Sequence, residues 1–495
     1  MKKLITILLL GVVMLQATAC AGDSGAGSAD TTAANTDTDI AQTEAETTAA
    51  PVIEPDIPDV DYEGYPFKIL FTDEIGSIRY SYEIDAETEN GDVINDAVFK
   101  RNLKVMEKVN ADIVGVNEPK PKFLSMFNNS VMAGDNTYDI VVDTHTNILK
   151  SAYQYGLDLS ALKYIDLEKE WWDREVMEAT ALGGKIYGLS GDINIVDNSA
   201  SWCLLFNKKL AKEYNVSDLY QIVRDGHWTI DKFDEIAKII KRDVNGDGTY
   251  DHLDQWGFVG STNYALSMLW SCGGMMGKLN SEYGIDITID SETNISVFTK
   301  IYDLYQKDHI MNYEFIPTDK IDTTAAIYSR TMFKEDRAFL LGAVVSYCDQ
   351  LRDMESDYGY LPSPKLSESQ EKYTVTAQEW CATMFMAPLT APDPERTSVI
   401  LETMAAYSME LITPAYYNTA LVRKLTRDDE SAEMLDIIFD DRTFDIVFAY
   451  DFGSFRSTLI KAFKSESNII SSSIASALPA VKADYQAKYD AIVNK

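Results

Sequence analysis

Cysteine, histidine and positive charge are scarce in this chain, and each shortage excludes a class of protein. Five cysteines in 495 residues, at 20, 203, 272, 348 and 381, are too few and too scattered for a disulfide scaffold or a CxxC metal site. The four histidines (His145, His227, His252, His309) are dispersed, so neither a His-based zinc site nor a His-centred triad is indicated. Lys and Arg number 44 against 78 Asp and Glu, a net charge of −34. Such a chain repels phosphate backbones, because nucleic-acid affinity comes mostly from Lys and Arg displacing counterions. No apolar run reaches the roughly 20 residues of a membrane-spanning helix. No period of about 20–50 residues repeats, which excludes solenoids and propellers.

Catalytic signatures are missing too. No GxSxG, HExxH or phosphate loop occurs in the strand-and-helix context its chemistry needs. GGMMGK at 273–278 lacks the phosphate-loop spacing and the hydroxyl residue after its lysine, and reads as a turn. Among 78 carboxylates nothing singles out a glycosidase pair. The chain therefore reads as a non-enzyme.

What is present begins with an export signal over residues 1–19. Lys2 and Lys3 precede a short apolar run, and Ala17 and Ala19 supply small residues just before Cys20. The arrangement resembles a bacterial lipobox, which implies a lipid (palmitate) on Cys20 as the membrane anchor. Residues 20–60 are rich in Ala, Thr, Ser and acids and hold no Lys, Arg or aromatic residue. They read as a disordered tether, unable to bury enough apolar area to offset chain entropy. Without the signal and tether, 69 acids and 42 bases remain, so the body carries −27.

The body opens as an α/β layer. A strand is expected at 65–71, a helix at 92–110, a strand at 111–116, a helix at 123–132 and a strand at 138–142. Further strands are expected at 185–189, 202–206, 255–259, 338–347, 358–364 and 383–388, a helix at 230–242, and mainly helix from Pro394 onward. Strand alternating with helix is the pattern of a parallel sheet. Parallel sheets place ligands outside the carboxyl ends of their strands. Asp73, and Asp143, Thr144 and His145, follow such ends and are candidates for a cleft wall.

The strongest chemical motif is the acidic loop DVNGDGTYDHLD at 243–254. Asp243, Asn245, Asp247, Asp251 and Asp254 supply side-chain oxygens at loop positions 1, 3, 5, 9 and 12, and Thr249 offers its carbonyl at position 7. Gly248 stands where a calcium loop turns sharply, and Asp254 replaces the usual Glu. A structural Ca2+, the one cofactor expected, fits this pattern better than Mg2+. The competing reading is a solvated acidic turn.

Seven Trp, 28 Tyr and 19 Phe offer many stacking faces. Trp171, Trp172, Trp202, Trp270, Tyr347 and Trp380 lie beside candidate strand ends or loops, and a subset is expected to line a sugar-binding cleft. Core packing is the competing role for each.

Several stretches together resemble the extracellular solute-binding proteins of carbohydrate ABC importers, family 1, the maltodextrin-binding type. They are DYEGYPFKIL (61–70), YDIVV (138–142), WWD (171–173), FNKKL (206–210), GHWT (226–229), the acidic loop leading into WGF (256–258), LRDME (351–355) and YGYLPSPK (358–365). The resemblance implies a two-lobed, periplasmic-binding-protein-like α/β fold (type II). Each lobe would be a mostly parallel sheet flanked by helices, with a hinge between lobes. Lobe one would comprise 61–168 and 377–412, and lobe two 169–376 and 413–495. It further implies that Phe206 stacks on ligand, that Asp73 and Glu74 make polar contacts after the first strand, and that Asp143, Thr144, His145 and Tyr347 border the cleft. The implied function is capture of an oligosaccharide by hinge closure and its delivery to the permease subunits of an ABC importer. The protein would be a monomer, held by Cys20 at the outer face of the cytoplasmic membrane. The alternatives are a surface enzyme acting on polysaccharide, a receptor presenting ligand to a sensor kinase, and a peptide binder.

Overall fold

The structure is a computed structural model describing residues 53–72, 83–378, 381–417 and 428–494. The expectations for the signal, Cys20, Asp73, Glu74 and Trp380 fall outside the described residues. In chain order the strands are β1 (Tyr65–Phe71), β2 (Ala111–Asn117), β3 (Ile140–Thr144), β4 (Trp202–Asn207), β5 (Trp256–Gly260), β6 (Gly277–Leu279), β7 (Ile285–Ile287), β8 (Ile310–Asn312), β9 (Ala338–Val344), β10 (Tyr358–Leu361) and β11 (Thr383–Met386).

The first sheet has the order β11-β3-β1-β2. β1 lies parallel to β2 and β3, and β11 runs antiparallel to β3. Its connections are the expected helices. The helix Val93–Val109 buries Ile94, Ala97, Val98, Val105 and Val109 at helical spacing. Asp92 caps its start, and Asn110 closes it in the left-handed region. The helix Pro394–Ala415 packs on Val93–Val109, so late sequence completes the early layer.

The second sheet has the order β10-β4-β9-β5-β8. β5 lies parallel to β8 and β9, whereas β4 is antiparallel to β9 and β10. β9 is buried along its whole length, as an inner strand covered on both faces must be. β6 and β7 form a separate ribbon. No helix among the described residues is long and apolar enough to cross a membrane.

Four expectations need correction. The 338–347 strand ends at Val344, because the N–H of Val345 bonds Ser201, just outside β4, and the ladder has no partner beyond; Val345–Gln350 coils into a 3-10 helix. Residues 185–189 form no strand and touch β11 only through the Leu189–Phe385 bridge. The helix from Ile230 ends at Ala237, where β5 crosses so closely that a Cβ on Gly257 would lie 1.9 Å from the Ala237 carbonyl oxygen. Residues 53–60 are not free tether: Ile53, Ile57 and Val60 pack on the first sheet's core, and Glu54 pairs with Lys108 at 3.0 Å. Their apolar side chains recur every three or four residues, enough to hold an extended segment against the body.

Candidate functional site

The chain passes between the sheets at the carboxyl ends of their strands. One passage runs through Asp192–Ala200 into β4. The other returns through 375–378 and 381–383 into β11, and the two are tied by the Ser201–Ala377 bridge and by Gln378 N–H donating to the Ala200 carbonyl at 3.0 Å. The parallel strands of the first sheet end at Phe71, Asn117 and Thr144, and Thr144 lies opposite Thr383, where the second passage enters β11. β5, β8, β9 and β10 of the second sheet end at Gly260, Asn312, Val344 and Leu361, on the edge where β4 begins at Trp202. Two strand-end edges joined by crossing segments form the place where an α/β fold accepts a ligand.

On the first edge, Asp143 accepts the Thr144 N–H at 2.7 Å and the Asn147 amide at 3.0 Å. Thr144 caps the helix His145–Tyr155. The His145 ring is buried with its Nε2 3.1 Å from the Thr383 carbonyl, and the His145 backbone N–H donates to the Ala382 carbonyl at 2.9 Å. Burial lowers its pKa to about 4, against the Thr383 hydrogen bond, so the ring is neutral near pH 7. The Thr383 carbonyl also receives Asn194 at 2.5 Å and Ser190 at 3.4 Å, which pins the two passages to β11.

On the second edge, Tyr347 stands in the turn after β9 with the Arg330 guanidinium 4.3 Å from its ring centre. Burial raises the phenol's pKa; Arg330 and a hydrogen bond with Tyr313 oppose this, and nearby Cys381 adds to it. Tyr347 and His145 are thus linked through 381–383. Glu314 accepts Thr262 at 2.9 Å and pairs with Lys464 at 2.6 Å. Between the edges, Arg442 holds the passages: it bonds Asp173 at 2.7 Å, reaches Asp197 at 3.9 Å and donates to Asn198. Asn198 in turn donates to the Tyr417 hydroxyl at 2.9 Å.

Unpartnered buried polar atoms gather at this second edge. Of the eight found among the described residues, four belong to Ser201, Arg330, Ser346 and Tyr416. Ser346 lies in the turn after β9, Ser201 is bonded to that turn, Arg330 stacks on it, and the Tyr416 phenol is in electrostatic range of Cys348 within it. Native proteins rarely leave such groups unpaired, and a cluster of them marks where water or a ligand completes the bonding.

The remaining expected ligand-binding residues among those described are buried, and of these Trp202 stands on the second edge. The Trp171 and Trp172 indoles are buried against the first sheet, and both donate to Glu402, at 3.2 and 2.9 Å. They are core residues of the first lobe, so the lobe boundary expected after residue 168 lies too early. Trp270 donates to Asp445 at 3.1 Å and packs edge-on against Phe448, inside the second lobe. Trp202 is buried at the start of β4, edge-on to Tyr264. Phe206 lies at the far end of antiparallel β4, four residues and about 13 Å from Trp202. It packs edge-on against Tyr220, away from the ligand edge.

Sequence reasoning missed Arg330, Tyr313, Ser346, Asn194 and Thr383. Only Arg330 carried a signal, a charge three residues before buried Phe333 on the inward face of Ala325–Lys334.

In the acidic loop, Asp243 accepts the N–H groups of Gly246 and Gly248 at 2.6 and 2.9 Å, and Asp247 accepts Thr249 at 2.8 Å. Asp251 accepts Leu253 at 2.8 Å, and buried Asp254 accepts Val244 and Asp251, each at 2.9 Å. Asn245 accepts Asp247 at 2.9 Å. Reciprocal bonds between Arg242 and Gln255 close the loop's base. Among the described residues, no three His, Cys, Asp or Glu side chains are grouped so as to hold a metal ion. A cavity of about 420 Å³ beside Val223, Tyr373 and Ile437 is walled by charges that already pair, Arg224 with Glu433 and Lys372 with Asp441.

The fold is that of the two-lobed, periplasmic-binding-protein-like class, mixed α/β lobes with the chain crossing between them. It is similar to a cyclo/maltodextrin-binding protein complexed with maltotetraose, at 14% identity and a TM-score of 0.55, covering 86% of this chain and 98% of that one. Maltose-bound MalE3 of T. maritima is similar at 14% identity and 0.53, covering 85% and 100%. An ABC substrate-binding protein of Listeria monocytogenes in complex with cycloalternan is similar at 11% identity and 0.50, covering 86% and 98%. No protein-family model and no curated relative matches the chain.

Proposed function

We propose that this protein is the extracellular substrate-binding component of an ABC importer, capturing an oligosaccharide between its lobes and passing it to membrane permease subunits. The observation that supports this best is the pair of strand-end edges joined by two crossing segments, with unpartnered polar groups on one of them. Sugar hydroxyls are suited to such groups, and Tyr347 offers an aromatic face. The structural neighbours in complex with maltotetraose, maltose and cycloalternan favour the same ligand class. The chain would bind without making or breaking bonds. An acyl chain on Cys20 would hold it at the outer membrane face.

Asp243, Asn245, Asp247, Thr249, Asp251 and Asp254 are proposed to hold a structural Ca2+. The support is the 1, 3, 5, 7, 9, 12 register and the closed loop base.

The test of function is thermal unfolding of the full chain with a panel of oligosaccharides, followed by analysis of the glycan. At 100 times its dissociation constant a ligand adds about 2.7 kcal/mol. A raised midpoint with intact glycan supports the importer reading. Glycan cleavage or a flat panel overturns it.

A further inference from the structure

Arg330 is buried, 3% exposed, and pairs with no acid among the described residues. Its Nε donates to Gln350 at 2.6 Å, its plane lies on Tyr347, and Nη1 has no hydrogen-bond acceptor. Other buried arginines are compensated. Arg442 pairs with Asp173 and Asp197, and Arg101 donates to Ser408, to the carbonyls of Glu83 and Ile84, and to Asn102. Glu314, next in sequence to Tyr313, is taken by Lys464 and Thr262. A guanidinium stays charged at any pH the protein meets, and burying it unpaired is strongly unfavourable. What sets Arg330 apart from Arg101 and Arg442 is a buried Nη1 with no acceptor.

We propose that the saccharide taken at this edge carries an anionic group, a carboxylate or a sulfate ester, and that Arg330 is its recognition residue. The inference rests on the saccharide reading above and narrows it. A guanidinium matches both anions with two parallel N–H donors, a geometry that lysine cannot reproduce. Ser346 and Ser201, unpartnered in the same turn region, supply further polar contacts to such a group. The net charge of the body does not oppose it, since exposed charges more than about 8 Å away are largely screened at physiological salt. A neutral sugar leaves Arg330 without a counter-charge, and sites with a buried group left unpaired discriminate strongly.

The experiment is calorimetric titration of the full chain with three probes of equal length: an oligogalacturonate, a sulfated galacto-oligosaccharide and a neutral malto-oligosaccharide. The expected result is that one acidic probe, which then identifies the group, binds at least about tenfold tighter than the neutral one. Arg330→Gln should weaken that probe at least about tenfold and weaken the neutral probe clearly less, while Arg330→Lys restores part of the loss. If Arg330→Gln does not fold, added salt on the unaltered chain decides, weakening the acidic probe and sparing the neutral one. A neutral probe binding as tightly as the acidic ones overturns this inference and leaves the saccharide reading standing. Binding of none overturns both.

Discussion

Asp192 and Asp197 sit in the passage between the lobes, where burial raises their pKa values to about 7 and about 8. Arg442 lowers the second and nearby Asp173 raises both, while the Thr413 hydrogen bond lowers the first. A carboxyl whose folded pKa exceeds its unfolded value binds its proton more tightly when folded. Its stabilising effect is complete below the unfolded pKa and is lost as pH rises through the folded one. Glu402, raised to about 7 by burial, has the same sign. His145, lowered to about 4, acts only below its ordinary value of 6.5. The melting temperature should therefore fall from about pH 4.5 to 8, with His145 offsetting part of the fall below 6.5, and Asp197→Asn should flatten it. Melting curves of both proteins across that range check this; identical slopes would remove Asp197 as a cause. Glu402 also shows why single residues were hard to place from sequence. It accepts both indoles of the WWD motif from more than 200 positions away, and nothing local to either partner announces the bond.

Among the elements, those set by local pattern were legible. The helix Val93–Val109 and strands β1 and β2 lie within a residue or so of their expected bounds, because apolar period and caps are written in neighbouring residues. Strand direction was not. Phe206 was expected beside ligand, but β4 runs antiparallel, so its Asn-Lys-Lys end lies at the edge opposite the strand ends that form the site. The acidic loop is the element whose chemistry depends most on its own sequence, and its proposed calcium has a direct test. Calcium-stripped protein should melt lower, and millimolar calcium should restore it, since extracellular loops of this kind bind at about 10⁻⁴–10⁻³ M. Asp243→Ala should abolish the response. An unchanged midpoint at millimolar calcium would show that the loop is only an acidic turn.

For the whole molecule, the proposed capture step requires that the lobes move about the two passages, one at 190–201 and the other at 375–378 and 381–383. Hinge closure places the angular change in a few segment residues while each packed sheet stays rigid. Small-angle scattering should show a smaller radius of gyration with a saturating oligosaccharide than without one. Arg442→Ala, which removes the ion pairs to Asp173 and to Asp197 in the first passage, should alter that change without abolishing either sheet. Saturated binding with no change in scattering would mean that the ligand enters a preformed cleft.

The order of strands and helices, the acidic loop, the lack of catalytic motifs and the α/β class all follow from residues close together in sequence, where period, capping and spacing act. The tertiary structure alone decided that β11 and Pro394–Ala415 complete the first sheet's layer, that Trp171, Trp172 and Trp270 are buried in the core, and that Arg330 is buried beside Tyr347 with an Nη1 that has no acceptor. Each of these depends on which distant segments meet, and such contacts are selected by burial of shared surface and by satisfaction of polar groups across the whole fold.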